Sequence, residues 1–141
     1  MDSGIHPSRL TLVRGGIDWP GVQAAVSPYL RLAMQEGADR DWSFDQVLEM
    51  LRDGRWALYG VVRDGTLIGA GATTVTAYGK RRVLEIILFG ADINSEDWVE
   101  TLNSLKEQAK LMGCSAVVGR GRPGWARYLR ATPIHAFEIE V

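Results

Sequence analysis

Glu85 is the residue best placed by type and position to take part in chemistry. It is the one acidic side chain in the apolar run Arg82–Phe89, whose sequence is RVLEIILF. A carboxylate in such surroundings can accept a proton from an amine, so Glu85 is a candidate general base. Because carboxylates are rarely buried without a partner, the alternative is that Glu85 pairs with an arginine or points to the solvated side.

Arginine and glycine alternate in the segment Gly119–Trp125, whose sequence is GRGRPGW. Arginines spaced in this way can bind phosphate, nucleic acid or an acidic protein surface. The alternative is a solvated loop in front of a helix that a proline begins. Trp42 lies among charged residues, and tryptophan is enriched at interfaces. We therefore predict that a partner would contact these residues: Trp42, Arg120, Arg122, Trp125 and Arg127.

The cysteine and the histidines point to little chemistry. Cys114 is the only cysteine, which excludes an intramolecular disulfide and a cysteine-rich metal site. It opens an apolar strand, so we predict a structural cysteine, because a nucleophilic one needs exposure and a nearby base. His6 and His135 lack the spacing of metal ligands, and no metal site is expected.

Composition places the chain among ordinary globular domains. It has 141 residues, of which 46% are hydrophobic and 23% charged, and its formal net charge is −1. No apolar run reaches the roughly 20 residues that cross a membrane, and a nucleic-acid-binding domain would normally be basic. The N-terminus has no secretory signal pattern, so we expect a cytoplasmic protein or a component of a particle assembled in the cytoplasm.

Hydrophobic spacing and turn residues predict a polar N-terminal arm, residues 1–8, followed by one domain, residues 9–141. A short strand is expected first, and then a helical pair that Asp18 caps. This pair should break at Ser27–Pro28, because proline disfavours a helix interior. A capping box at Ser43-Phe44-Asp45-Gln46 begins the next helix.

The rest of the chain alternates between strands and helices. Asp64–Gly65 has the composition of a tight hairpin turn. The strand over 82–89, the helix over 96–112 and the strand over 114–119 predict a right-handed βαβ crossover. The other predicted elements are strands over 56–62, 67–77 and 136–141 and a short helix over 123–129. The fold class is therefore α/β (α+β), with a mixed, mostly antiparallel sheet and flanking helices.

This order of elements resembles the GNAT superfamily (Gcn5-related N-acetyltransferases) over nearly the whole chain. The resemblance is carried by the Asp64–Gly65 hairpin, by the strand end Ile86–Gly90 before a helix, and by the terminal short helix and strand. The spacing around Trp98, Gly113–Cys114 and Gly121–Trp125 is also similar to that of small GNAT-like proteins of tailed bacteriophages. The resemblance implies a twisted sheet and acetyl-CoA as the acyl donor.

The resemblance also implies roles for particular residues. Glu85 would be the general base, and Tyr128 would protonate the leaving thiolate; the alternative for Tyr128 is packing beside Trp125. The family signature Arg/Gln-x-x-Gly-x-Gly/Ala holds the coenzyme A diphosphate at a helix N-terminus, where main-chain N–H groups face the ligand. The matching cofactor-binding positions here are the following: Gly90, Ala91, Asp92, Ile93, Asn94 and Ser95.

Only Gly90 matches that signature, and the turn is acidic. Asp92, Glu96 and Asp97 would place three negative charges near a diphosphate. Two like charges about 4–6 Å apart repel by about 1 kcal/mol even at the dielectric constant of water. We therefore expect that the chain has lost normal acetyl-CoA binding and needs no cofactor. This expectation favours a protein without enzymatic activity over an enzyme.

Three functions are compatible with these observations. The first is a GNAT-fold protein that acts through contacts with a protein partner or a second copy, in a phage virion or during its assembly in the host cytoplasm. The alternative is an N-acetyltransferase that transfers an acetyl group from acetyl-CoA to an amine. The third is a small-ligand or nucleic-acid accessory module that uses the arginines of residues 120–130.

Overall fold

The computed structural model describes residues 10–35, 42–119 and 139–140, and five strands and three helices lie within them. The strands are β1 (Leu10–Gly15), β2 (Ala57–Arg63), β3 (Thr66–Tyr78), β4 (Arg81–Ala91) and β5 (Ala116–Gly119), and the helices are α1 (Val22–Ala33), α2 (Phe44–Arg52) and α3 (Ser95–Leu111). The predicted arm and the predicted short helix fall outside the described residues, as does most of the predicted last strand. The division of the chain at residue 9 therefore stays a prediction.

The strands form one sheet in the order β1-β2-β3-β4-β5. Neighbouring strands from β1 to β4 are antiparallel, and β4 and β5 are parallel. The helix α3 connects the parallel pair, because parallel neighbours need a long crossover. The mixed, mostly antiparallel α/β sheet with a βαβ crossover is thus confirmed.

One extra residue interrupts the pairing of β4 with β3. Ala72 lies opposite Leu88 and Thr73 lies opposite Ile86, so Ile87 has no partner of its own on β3. Such a β-bulge bends the strand and increases its twist. It also shifts the alternation of side chains by one residue. Two residues of β4 that flank the bulge therefore share a face of the sheet when they are an odd number of positions apart.

Helices cover both faces of the sheet. On one side, which we call the α1–α2 face, Leu58 and Leu88 of the sheet belong to one buried cluster with Leu30 of α1. On the other side, the α3 face, Leu84 of β4 shares a cluster with Leu105 of α3. The sheet is therefore a central layer between two helical layers, and each of its residues can be assigned to one side.

The helix α1 differs from the predicted pair broken at Ser27–Pro28, because it is one continuous helix with Pro28 inside it. Proline leaves the carbonyl group of Ala24 without its helical donor, but both residues are exposed, so water can supply that hydrogen bond. The predicted cap at Asp18 is also wrong. Gly21 precedes the helix instead, at a φ of 79°, a conformation that favours glycine.

The helix α2 begins as the sequence predicts. The Ser43 hydroxyl oxygen accepts a hydrogen bond of 3.1 Å from the Gln46 N–H group, and the Gln46 side-chain oxygen accepts one of 2.8 Å from the Ser43 N–H group. Gly54 follows the helix at a φ of 73°, which lets the chain turn sharply into β2. The capping box and the glycine stop are both confirmed.

The main chain of α1 lies directly against β4 at Gly90. A Cβ atom on Gly90 would overlap the carbonyl oxygen of Tyr29 and come within 3.0 Å of the Ala33 nitrogen. The Tyr29 hydroxyl also donates a hydrogen bond of 3.0 Å to the carbonyl oxygen of Leu67 on β3. Gly90 is therefore explained by the close approach of helix and strand.

We expect Gly90→Ala to lower the free energy of unfolding by about 1–3 kcal/mol, because α1 must move away from the strand to admit a methyl group. Gly15→Ala is a matched control, since no atom lies within 4 Å of its Cβ position. Its effect should stay within about 0.5 kcal/mol. Urea unfolding followed by circular dichroism measures both variants, and equal effects would contradict the packing role of Gly90.

Candidate functional site

Glu85 lies in the middle of β4 and faces the α1–α2 side. Its sequence neighbours Leu84 and Ile86 pack on the α3 face, so alternation turns Glu85 the other way. The side chain is half-buried, and its Oε2 atom accepts a hydrogen bond of 3.0 Å from the Thr76 hydroxyl. Within the described residues, its side-chain hydrogen-bond partner is thus the neutral hydroxyl of Thr76 and not an arginine.

Among the described residues, β4 continues past the last residue that pairs with β5. The two strands pair over Val83–Ile86 and Ala116–Gly119, whereas β4 continues to Ala91. Within the described part of the chain, the stretch of β4 after the bulge pairs only with β3. The described residues thus place no strand beside the other edge of this stretch.

The turn after β4 uses several of its own polar groups. The Asp92 N–H group donates a hydrogen bond of 3.0 Å to the carbonyl oxygen of Ile68, which extends the pairing of β4 with β3. The Asn94 side chain caps α3 by accepting a hydrogen bond of 2.9 Å from the Asp97 N–H group. The helix begins at Ser95. That the segment Gly90–Ser95 binds a cofactor stays a prediction.

The acidic residues at this helix start are not equivalent. Asp92 and Glu96 are exposed, but an Asp97 carboxylate oxygen lies 2.6 Å from Nη2 of Arg63, the last residue of β2. The hydrogen bond with Asp97 raises the pKa of Arg63 above its usual value; the charges of Asp97, Asp64 and Glu100 add to this, while burial opposes it. One of the three negative charges expected from the sequence is therefore compensated.

Sequence reasoning did not identify Arg63, because it lies 34 positions before Asp97 and only the strand order brings them together. The sequence signal for this ion pair was an arginine just before a hairpin turn together with an aspartate in the first turn of a helix. Two more contacts hold the first two turns of this helix. Glu100 accepts a hydrogen bond of 3.3 Å from the Leu10 N–H group. The Trp98 ring contacts Phe89 edge to face, with 5.4 Å between ring centroids.

Trp42 is placed partly in the core and partly at the surface. It is half-buried, and its ring meets the buried Trp56 at a centroid distance of 4.8 Å in an edge-to-face arrangement. Its outer side borders a cleft of about 230 Å³ that Glu49 and Arg55 also line. The contact of Trp42 with a partner stays a prediction, and part of its surface is already used for packing.

The other predicted site residues lie outside the described residues: Arg120, Arg122, Trp125, Arg127 and Tyr128. Cys114 is buried, and its N–H group donates a hydrogen bond of 2.9 Å to the Ala109 carbonyl oxygen. The described residues contain no group of three or more histidine, cysteine or acidic side chains arranged to hold a metal ion. None of the described helices is both long enough and apolar enough to cross a bilayer.

Comparison with known proteins gives matches in structure alone. No family model matches the sequence, and no curated protein does. A predicted acetyltransferase from Clostridium acetobutylicum with acetyl-CoA has a TM-score of 0.64 at 14% identity, over 94% of this chain and 96% of the other. Glucosamine-6-phosphate N-acetyltransferase from Arabidopsis thaliana has a TM-score of 0.62 at 11% identity, over 94% and 98% of the two chains.

A third structure is an aminoglycoside acetyltransferase from an uncultured soil metagenomic sample in complex with sisomicin. Its TM-score is 0.63 at 12% identity, over 94% of this chain and 96% of the other. The chain has the GNAT fold. Identities this low show the fold of the GNAT proteins and not their substrates. The similarity to the GNAT-like proteins of phages stays a prediction.

We expect Arg63→Gln to lower Tm, because it leaves the largely buried Asp97 carboxylate without its partner. The double variant Arg63→Gln/Asp97→Asn should recover part of the loss, since it also removes the unpaired charge. Arg52→Gln is the control, because Arg52 and Asp18 are 4.0 Å apart and well exposed. Differential scanning calorimetry measures all three, and a fall in Tm with Arg52→Gln as large as with Arg63→Gln would refute this assignment.

Proposed function

We propose that the chain is an N-acetyltransferase that moves the acetyl group of acetyl-CoA to an amine. The observation that carries the proposal is the position of Glu85, a half-buried carboxylate on β4 two residues before its bulge. A base at this point lies next to the stretch of β4 that extends beyond β5. The acetyltransferase names of the structural neighbours agree with this proposal.

The described residues fit a coenzyme thioester in two respects. The main chain of β4 beyond Ile86 offers hydrogen-bonding groups to an extended chain of amides. The start of α3 offers N–H groups to an anion, and Arg63 compensates the Asp97 charge there. When bound, acetyl-CoA supplies an acyl group activated as a thioester.

In the proposed reaction Glu85 accepts a proton from the attacking amine, directly or through one water molecule. The hydroxyl of Thr76 holds the carboxylate in place for this step. The nitrogen then attacks the thioester carbonyl carbon, and main-chain N–H groups of β4 beyond the bulge stabilise the negative charge on its oxygen. The C–S bond breaks as the C–N bond is completed, and Tyr128 is the predicted donor of a proton to the sulfur.

The exposed acids weaken this site less than the sequence suggests. Each exposed charge near a diphosphate costs about 1 kcal/mol at the dielectric constant of water, and salt screens it further. Micromolar binding corresponds to about 8 kcal/mol. Asp92 and Glu96 would therefore reduce the affinity for acetyl-CoA without abolishing it.

Glu85→Gln should lower kcat/KM for acetyl transfer by about 10²–10⁴-fold, since an amide cannot accept the proton. Glu107→Gln makes the same change at an exposed position of α3 and should leave the rate unchanged. A thiol-release assay with acetyl-CoA and a panel of primary amines measures both. Equal rates for the two variants would refute the role of Glu85, and no turnover with any amine would refute the activity.

A second candidate function is contact with a protein partner or a second copy, without catalysis and without a cofactor. The observation that favours it is the turn after β4. Gly90 packs against the main chain of α1, and the Asp92 N–H group donates its hydrogen bond to the Ile68 carbonyl oxygen, so neither is free for a diphosphate. A phage virion or its assembly would be one setting for such a protein. Acetyl-CoA binding separates the two candidates.

We expect the double variant Asp92→Asn/Glu96→Gln to bind acetyl-CoA about tenfold more tightly than the unchanged protein, because it removes two exposed negative charges from the diphosphate site. Isothermal titration calorimetry at low salt measures this. Glu107→Gln/Glu49→Gln removes two exposed charges elsewhere and should have no effect. If neither the unchanged protein nor the first double variant binds acetyl-CoA, the second candidate function is favoured.

A further inference from the structure

A cleft of about 280 Å³ opens on the α3 face of the sheet, beside Met112, the residue that follows α3. Ala57 and Leu84 of the sheet form its apolar wall together with Met112. Leu84 precedes Glu85 and faces the opposite side, so the sheet separates this cleft from the proposed base. Its volume suits a small molecule.

The cleft is positively charged. Arg14 and Arg55 are among its lining residues, and no carboxylate is. Arg14 is exposed and forms no ion pair within residues 10–35, 42–119 and 139–140. Arg55 has Asp53 as a neighbour, but their closest atoms are 4.0 Å apart and both side chains are at least half exposed. Water screens such a pair, so both guanidinium groups can bind an anion.

A buried hydroxyl group without a partner also lies at this cleft. Thr73 is fully buried and lines the cleft, and its Oγ1 atom has no hydrogen-bond partner in the described part of the chain. Such a burial is unfavourable, because the hydroxyl has lost its hydrogen bonds to water and has formed none with the protein. Rotation about χ1 moves the hydroxyl to the position that the methyl group or the β hydrogen occupies, so Thr73 can turn a donor toward the cleft that it lines.

We infer that this cleft is a binding site for a small organic oxyanion, a carboxylate or a phosphate monoester of about ten heavy atoms. The oxyanion lies between Arg14 and Arg55, which donate charge-assisted hydrogen bonds. It accepts a further hydrogen bond from the hydroxyl of Thr73. The apolar part of the ligand rests on Ala57 and Leu84. The site does not depend on the acetyl-transfer proposal.

The test uses phenyl phosphate and benzoate as probes and phenol as the neutral probe of similar shape. Each is titrated into the full-length ¹⁵N-labelled protein, and amide chemical shifts report both affinity and location. We expect one or both anions to shift the amides of Arg55, Ala57 and Thr73 in a saturable way, more weakly at high salt. Comparison of the two anions shows whether the site prefers phosphate or carboxylate. Anion binding no tighter than that of phenol would overturn the proposal.

Four variants locate the ligand. Arg14→Gln and Arg55→Gln change exposed side chains and should each weaken binding of the preferred anion about tenfold. Thr73→Val keeps the shape and removes the hydroxyl, and should weaken binding about fivefold. Thr101→Val is the matched control, because Thr101 also carries a buried, unpartnered hydroxyl but does not line the cleft. Unchanged affinity in both arginine variants, or shifts confined to the start of α3, would overturn the site.

Discussion

The contact between the main chain of α1 and β4 at Gly90 is the constraint on which the rest of the structure depends. The absence of a side chain there lets the helix approach the strand. On the opposite face Phe89 lies across Gly71, where a Cβ atom would overlap its ring. A glycine thus makes room for a neighbouring group on each side of the sheet, Gly90 for the main chain of α1 and Gly71 for the ring of Phe89. These two contacts fix the position of the end of β4 between the two helical layers, and with it the position of the start of α3.

The first two turns of α3 are then fixed by contacts from three directions. Arg63 reaches it from β2, Leu10 from β1 and Phe89 from β4. This anchoring changes the electrostatics of the helix start, because the Asp97 carboxylate is paired with Arg63. The number of acidic residues in a segment is therefore a poor measure of its electrostatic potential in the folded protein, because neighbouring strands can bring basic residues close to it.

The elements of the fold follow from local sequence signals, and the contacts between them do not. The capping box at Ser43 and the Asp64–Gly65 turn can be read from neighbouring residues, because their chemistry is local. Pro28 misleads, because its exposure decides whether a lost hydrogen bond matters, and exposure is a tertiary property. The pairing of Arg63 with Asp97 and the packing of Trp42 on Trp56 also depend on tertiary structure. The candidate base Glu85 could be named in advance, but not its hydroxyl partner.

The bulge at Ile87 sets which face of the sheet each residue at the end of β4 occupies. Glu85 and Gly90 are five positions apart, and in a regular strand they would face opposite ways, yet here both face α1 and α2. The extra residue keeps Glu85 and Gly90 on one face, so a regular strand of the same length would exchange the environments of Phe89 and Gly90. The aromatic ring would then collide with the helix that the glycine now admits. The bulge can therefore be lost only together with one residue, which leaves Glu85 and Gly90 four positions apart and on the same face of a regular strand.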